Sequence, residues 1–139
     1  MSLSLAAISR CLQGEIPSIL ATCSANGEPN VMHVSQVLVV DEHHVATSNQ
    51  FFSKTAANLL ENPVATLLCP DPDTGLSYKL LVQHARSESS GPFFEAVRTD
   101  LDAIATMTGM ADVFALRAVD IFRVLDASEV PSRGTVQRG

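Results

Sequence analysis

The stretch His44-Val45-Ala46-Thr47-Ser48-Asn49-Gln50-Phe51-Phe52-Ser53-Lys54-Thr55-Ala56-Ala57-Asn58-Leu59-Leu60-Glu61-Asn62-Pro63 decides how the chain folds. Its opening residues read as a β-strand that ends in small polar side chains. A short loop follows, and then a helix that begins at Ser53, whose hydroxyl can accept from a free backbone N–H of the first turn. Asn62-Pro63 closes the helix, because the residue before a proline is pushed out of helical geometry. Lys54 is the odd member. A cation in the first turn opposes the positive end of the helix dipole by about 0.3–1 kcal/mol. The placement becomes favourable when an anion lies between the lysine and the free N–H groups, as helix N-termini arrange for phosphate. On local chemistry alone, a solvated surface lysine is the simpler reading.

Working outward, the flanks read as short strands joined by turns. On the N-terminal side, Leu3, Leu5, Ala6, Ile8, Cys11 and Leu12 recur at helical spacing and predict a short amphipathic helix stopped by Gly14. Ser18 to Ser24 is a first strand, Asn26-Gly27 a hairpin turn, and Asn30 to Val40 a second strand that turns at Asp41-Glu42-His43 into the strand at His44. On the C-terminal side come a strand at Ala65 to Cys69, a turn-rich loop from Pro70 to Gly75, and a long strand from Leu76 to Ser87. Ser90-Gly91-Pro92 starts a helix with Phe94, Val97, Leu101 and Ile104 on one face and Gly109 as its cap. Asp112 to Leu116 and Val119 to Leu125 form a last pair of strands. Six or seven hairpin-joined strands with inserted helices predict a mainly β fold, an antiparallel Greek-key barrel with peripheral helices. One domain is expected over residues 1–127, with 128–139 a polar, basic, linker-like tail.

Composition limits the function. A chain of 139 residues with 46% apolar residues can bury a real core as one domain. Its net charge of −6 argues against a nucleic-acid backbone as the main partner, although one pocket can still hold a phosphate with a few donors. Three scattered cysteines without a CxxC pair read as reduced thiols rather than a disulfide framework or zinc site. No signal peptide, membrane-length apolar run or Asn-x-Ser/Thr site is present, so a cytoplasmic, soluble protein is expected, with no membrane partner. Asp71-x-Asp73-x-Gly75 lacks the remaining ligands of a calcium loop and reads as a plain turn. His43 and His44 face water at a turn, and a strand histidine such as His33 has a structural role by default. There is no nucleophile elbow, no dinucleotide fingerprint and no phosphate-binding Gly-Lys-Ser/Thr loop. Redox or group-transfer chemistry would therefore need a bound cofactor to carry it.

The order of these pieces resembles the pyridoxamine 5′-phosphate oxidase-like FMN-binding split barrels. The shared features are the Asn26-Gly27 hairpin followed by Pro29, the strand ending in Thr47-Ser48-Asn49, the Ser53-Lys54 helix start, and Asn62-Pro63 leading into Ala65 to Cys69. The similarity runs from about Ile16 to about Leu125. It implies a homodimer with FMN in grooves at the subunit interface. By position, Ser48 with its neighbours Thr47 and Asn49 matches the strand-end hydroxyl region, and Ser53 and Lys54 match the phosphate-binding pair. Ser35, with His33, Val34 and Gln36, matches the strand that lies against the flavin ring. Lys79 falls where the vitamin B6 oxidases carry a glutamine near the flavin. Those oxidases also place an arginine and, five positions later, a lysine on the flavin-facing strand, and here those places hold Met32 and Val37. Their C-terminal segment, with its tryptophan and substrate-binding arginine, has no counterpart in this chain. Oxidation of pyridoxamine 5′-phosphate is therefore not the expected activity.

Two functional classes stay open. One is an FMN-dependent oxidoreductase acting on a small molecule that the sequence does not identify, with no residue offering itself as an obligatory acid or base. The other is a non-catalytic flavin- or haem-binding sensory module, with His33 or His84 as the available haem ligands. The deazaflavin F420 is a further alternative cofactor.

Overall fold

A computed structural model describes residues 3–34, 37–49, 54–108 and 118–130, with backbone alone at 49, 100–102 and 104–108. Seven strands form one antiparallel sheet: β1 Ser18–Cys23, β2 Pro29–Val34, β3 Leu38–Asp41, β4 His44–Asn49, β5 Val64–Pro70, β6 Ser77–Glu88 and β7 Ala118–Val130. Their spatial order is β2-β1-β5-β6-β7-β4-β3. A single 3-10 turn, Ala6–Ile8, leads into the short helix α1, Ser9–Leu12. Helix α2, Lys54–Glu61, connects β4 to β5, and helix α3, Pro92–Thr108, follows β6.

The expected second strand is two strands. β2 pairs with β1 at one edge of the sheet, and β3 pairs with β4 at the other. Between them the burial phase slips: Val34 and Val37 are both core residues, an odd spacing that strict period-2 alternation forbids. Val37 N–H donates to the Leu12 carbonyl at 2.8 Å instead of to a strand neighbour. Four Cα steps separate Val34 from Leu38, so the two edges of the sheet lie within about 15 Å of each other. Among the described residues no ladder joins β2 to β3, so the sheet curls into a barrel that is split rather than closed.

One core fills the inside of the curl. Leu20, Val34, Val45, Leu67, Leu80, Val82 and Phe122 point inward, joined by Leu5, Ile8, Cys11 and Leu12 from the N-terminal segment and Leu59 from α2. A second cluster lies on the outside of the β3–β4–β7 half, where Phe94 and Val97 of α3 cover Ala46, Val119 and Ile121. The outside of the β2–β1–β5–β6 half carries Val31, Val64 and Leu81, all solvent-exposed. Cross-strand rows run over this open face: Val31–Ala21–Thr66–Leu81, and beside it His33–Ile19–Leu68–Lys79.

The C-terminal expectation needs correcting at its boundary. Ser128, Glu129 and Val130 are not tail but the end of β7, paired with Lys79, Tyr78 and Ser77. β6 is long enough to offer them ladder partners, and backbone pairing outweighs the polar composition of the segment. The strand expected at Asp112 to Leu116 and the Gly109 cap lie outside the described residues.

Candidate functional site

The β4–α2 unit stands where the sequence placed it. β4 ends at Asn49 and α2 begins at Lys54, while Ser53 between them lies outside the described residues. Alternation separates the strand-end residues. Thr47 is buried on the core side, opposite Asp120 of β7, whereas Ser48 shares the α3-facing side with Ala46 and sits opposite Val119. Asn49 is opposite Ala118 at the end of the ladder.

Lys54 has a partner that the sequence did not suggest. Its Nζ lies 3.3 Å from Oε1 of Glu28, with the two side chains 48% and 64% exposed. Glu28 belongs to the β1–β2 hairpin, and that hairpin is fastened to α2 along the length of the helix. The Ala25 N–H donates to Glu61 Oε1 (2.8 Å), Asn58 Nδ2 to Thr22 Oγ1 (3.1 Å) and Asn30 Nδ2 to Thr55 Oγ1 (3.1 Å). Asn58 is fully buried, and its Oδ1 has no partner.

Two further candidates, His33 and Lys79, lie on the sheet itself. His33 and Lys79 both point out from the open sheet face, in one row, but three strand spacings or about 14 Å apart. Val34 is a core residue behind that face. Ser35 and Gln36 lie outside the described residues. A cleft of about 850 Å³ between the N-terminal segment, the β3–β4 turn and β7, walled by Leu3, Leu5, Val39, Val124 and Leu125, includes none of the described candidates.

A polar cluster that the sequence did not flag sits where β6 meets the start of β7. Ser87 Oγ donates to Asp120 Oδ1 at 2.5 Å, and His84 Nε2 lies 3.1 Å from the same oxygen and 3.2 Å from Ser87 Oγ. The three residue types suggest a nucleophile relay, but the geometry does not. In a relay the acid and the hydroxyl occupy opposite nitrogens of the ring. Here both crowd Nε2, and the serine proton is committed to the carboxylate. With the His84 ring edge-on to Phe122 at 5.4 Å, the cluster is a clamp across the β6–β7 bulge. Cys69 and Cys11 fare no better as nucleophiles: burial pushes the Cys69 thiol up to about 11 and also raises that of Cys11, leaving both protonated at neutral pH.

Comparison with known proteins places the fold. The family model described as pyridoxamine 5′-phosphate oxidase matches residues 5–123. The chain belongs to this family. An FMN-binding protein from Syntrophomonas wolfei has a similar structure, with TM-score 0.72 and 21% identity over 88% of this chain and 84% of that one. An F420 reductase gives 0.62 and 15% over 85% and 93%. The haem storage protein HutZ of Vibrio cholerae gives 0.52 and 18% over 87% and 88%. No curated protein matches the chain.

Met32 and Val37, the two positions compared above with strand cations of the vitamin B6 oxidases, both pack inward. Met32 is turned inward, where its sulfur accepts the Thr55 hydroxyl at 3.0 Å, and Val37 is buried in the core. A cation at either place would be held against apolar neighbours beneath α2 or the N-terminal segment, at a desolvation cost.

Proposed function

We propose that this protein is an FMN-binding member of the pyridoxamine 5′-phosphate oxidase family, acting as an oxidoreductase on a small molecule. The observation that carries the reading is Lys54, a cation at the first position of α2, directly after the β4 strand end of a split barrel matched by the family model. The donor set fits a flavin phosphate at that one cationic point. Lys54 supplies charge, and the first-turn N–H groups of α2 supply donors. Ser48 adds a hydroxyl at the strand end. His33 and Lys79, carried on the open sheet face, are the groups available to favour an electron-rich ring. When bound, FMN supplies hydride acceptance and delivery, the chemistry that no side chain of this protein offers.

A homodimer that meets through the open sheet face would let residues from two copies line one groove, bringing together groups such as His33 and Lys79 that stand apart on one sheet. The vitamin B6 oxidases' strand cations are replaced by inward-packed residues here, which argues against pyridoxamine 5′-phosphate as substrate. Flavin titration tests the proposal. FMN fluorescence is quenched on binding, and Lys54→Ala weakens affinity by about 1–3 kcal/mol, as for loss of a charged hydrogen-bond partner. A protein that leaves FMN fluorescence unchanged at excess refutes it.

A sensory module on the same scaffold is favoured by one observation: Lys54 is already paired with Glu28 rather than with a group that could act as acid or base on a substrate. Bound flavin without oxidation of NADH or NADPH by any acceptor is its signature. Were haem the ligand, His33 would be the axial candidate, because His84 Nε2 is occupied by Asp120 and Ser87. Removal of His33, and not of His84, would then abolish the Soret band.

A further inference from the structure

We infer that Glu28 is a specificity-determining residue that competes with the ligand's phosphate for Lys54, so that the protein favours phosphorylated ligands less strongly than Lys54 alone would imply. The inference rests on the proposed role of Lys54. Glu28 is not a freely swinging surface acid. Its N–H donates to Ser24 Oγ (3.0 Å), its carbonyl accepts the Ser24 N–H (2.9 Å), and Gly27 holds a positive φ of 88° just before it. The hairpin bearing it is anchored to α2 at Thr22, Ala25 and Asn30. The carboxylate is therefore presented to Lys54 Nζ at 3.3 Å by a braced turn.

A dianionic phosphate reaching Lys54 must either share the ammonium with that carboxylate or displace it. In both cases the like charges repel, and the first also divides the donors of the lysine. Both side chains are largely exposed, so the effect is modest, on the order of two- to fivefold in affinity, the scale of an exposed ion pair. A ligand without a phosphate does not meet this competition.

The test is a fluorescence titration of the intact chain with FMN and with riboflavin, which lacks the phosphate, for the wild type, Glu28→Gln, Lys54→Ala and the double variant. Circular dichroism confirms that each variant is folded. The expected result is a two- to fivefold tighter Kd for FMN in Glu28→Gln, no change for riboflavin, and no gain from Glu28→Gln when Lys54 is already alanine. Loss of FMN affinity in Lys54→Ala with no gain in Glu28→Gln overturns the role of Glu28 and leaves that of Lys54 standing. FMN affinity indifferent to Lys54→Ala overturns both. Equal tightening of FMN and riboflavin also overturns the inference, since Glu28 would then act through the hairpin rather than on the phosphate.

Discussion

Lys54 illustrates how a single charge changes meaning with its surroundings. In the sequence it is a cation at the unfavourable end of a helix dipole, and in the structure Glu28 offsets that penalty. Because an exposed pair of this kind is worth about 0–1 kcal/mol, Lys54→Ala leaves the unfolding midpoint in urea nearly unchanged. A large stability loss would make Lys54 a structural residue instead. Asp71 behaves differently. It is buried, accepts the Asp73 and Thr74 N–H groups on Oδ1, and takes the Arg10 guanidinium on Oδ2 at 2.9 and 3.1 Å. The Asp73 amide first, and then Arg10, hold its carboxyl below the ordinary 3.8 against the opposing effect of burial. A depressed folded value means that this stabilisation is fully present above the unfolded value and is lost as pH falls through the folded one. Urea unfolding followed from about pH 5 down to about pH 3 loses stability less steeply in Asp71→Asn than in the wild type. Parallel curves would show that Asp71 does not carry this dependence.

At the level of elements, the β1–β2 hairpin and α2 act as one piece. The loop has the form of a three-residue hairpin turn: Gly27 N–H bonds to the Ser24 carbonyl, and Gly27 takes the left-handed position. Nothing lies within 4 Å of a side chain built there, so Gly27→Ala meets only backbone strain, about 1–2 kcal/mol of stability in urea unfolding. Gly27→Asn, which tolerates this conformation, loses less, and equal losses would contradict the turn assignment. This turn was legible in the sequence because Asn26-Gly27 carries its own conformational preference. The β4–α2 unit and the long sixth strand were legible for the same kind of local reason. The division of Asn30 to Val40 between two sheet edges was not. Apolar residues run on through Val37 to Val40, and only the burial phase between Val34 and Val37 marks the break. The Lys54–Glu28 and His84–Ser87–Asp120 contacts were equally out of reach, since each joins residues that only the tertiary pairing of strands brings together.

The whole molecule presents a sheet with one outer half covered by α3 and the other half open. Its stability rests on the inner core, where Phe122 is fully buried, and Phe122→Ala costs about 3–5 kcal/mol in urea unfolding. The open half is the surface on which a second copy would sit. Val31, 67% exposed on the edge strand β2 at the end of its cross-strand row, tests this directly. On the proposed homodimer, Val31→Asp leaves the monomer folded and shifts the sedimentation coefficient from dimer to monomer; an unchanged dimer would place the interface elsewhere, and a monomeric wild type would refute the dimer. The family match and the split barrel made the general scaffold plain, and the proposed ligand is tested at Lys54. The most direct measurement is the titration of the purified chain with FMN, read by flavin fluorescence, for the wild type beside Lys54→Ala. Saturable quenching in the wild type, weakened about 5- to 150-fold in the variant, is the predicted result. Fluorescence unchanged in the wild type, or identical binding by both proteins, would contradict the phosphate-anchor role of Lys54.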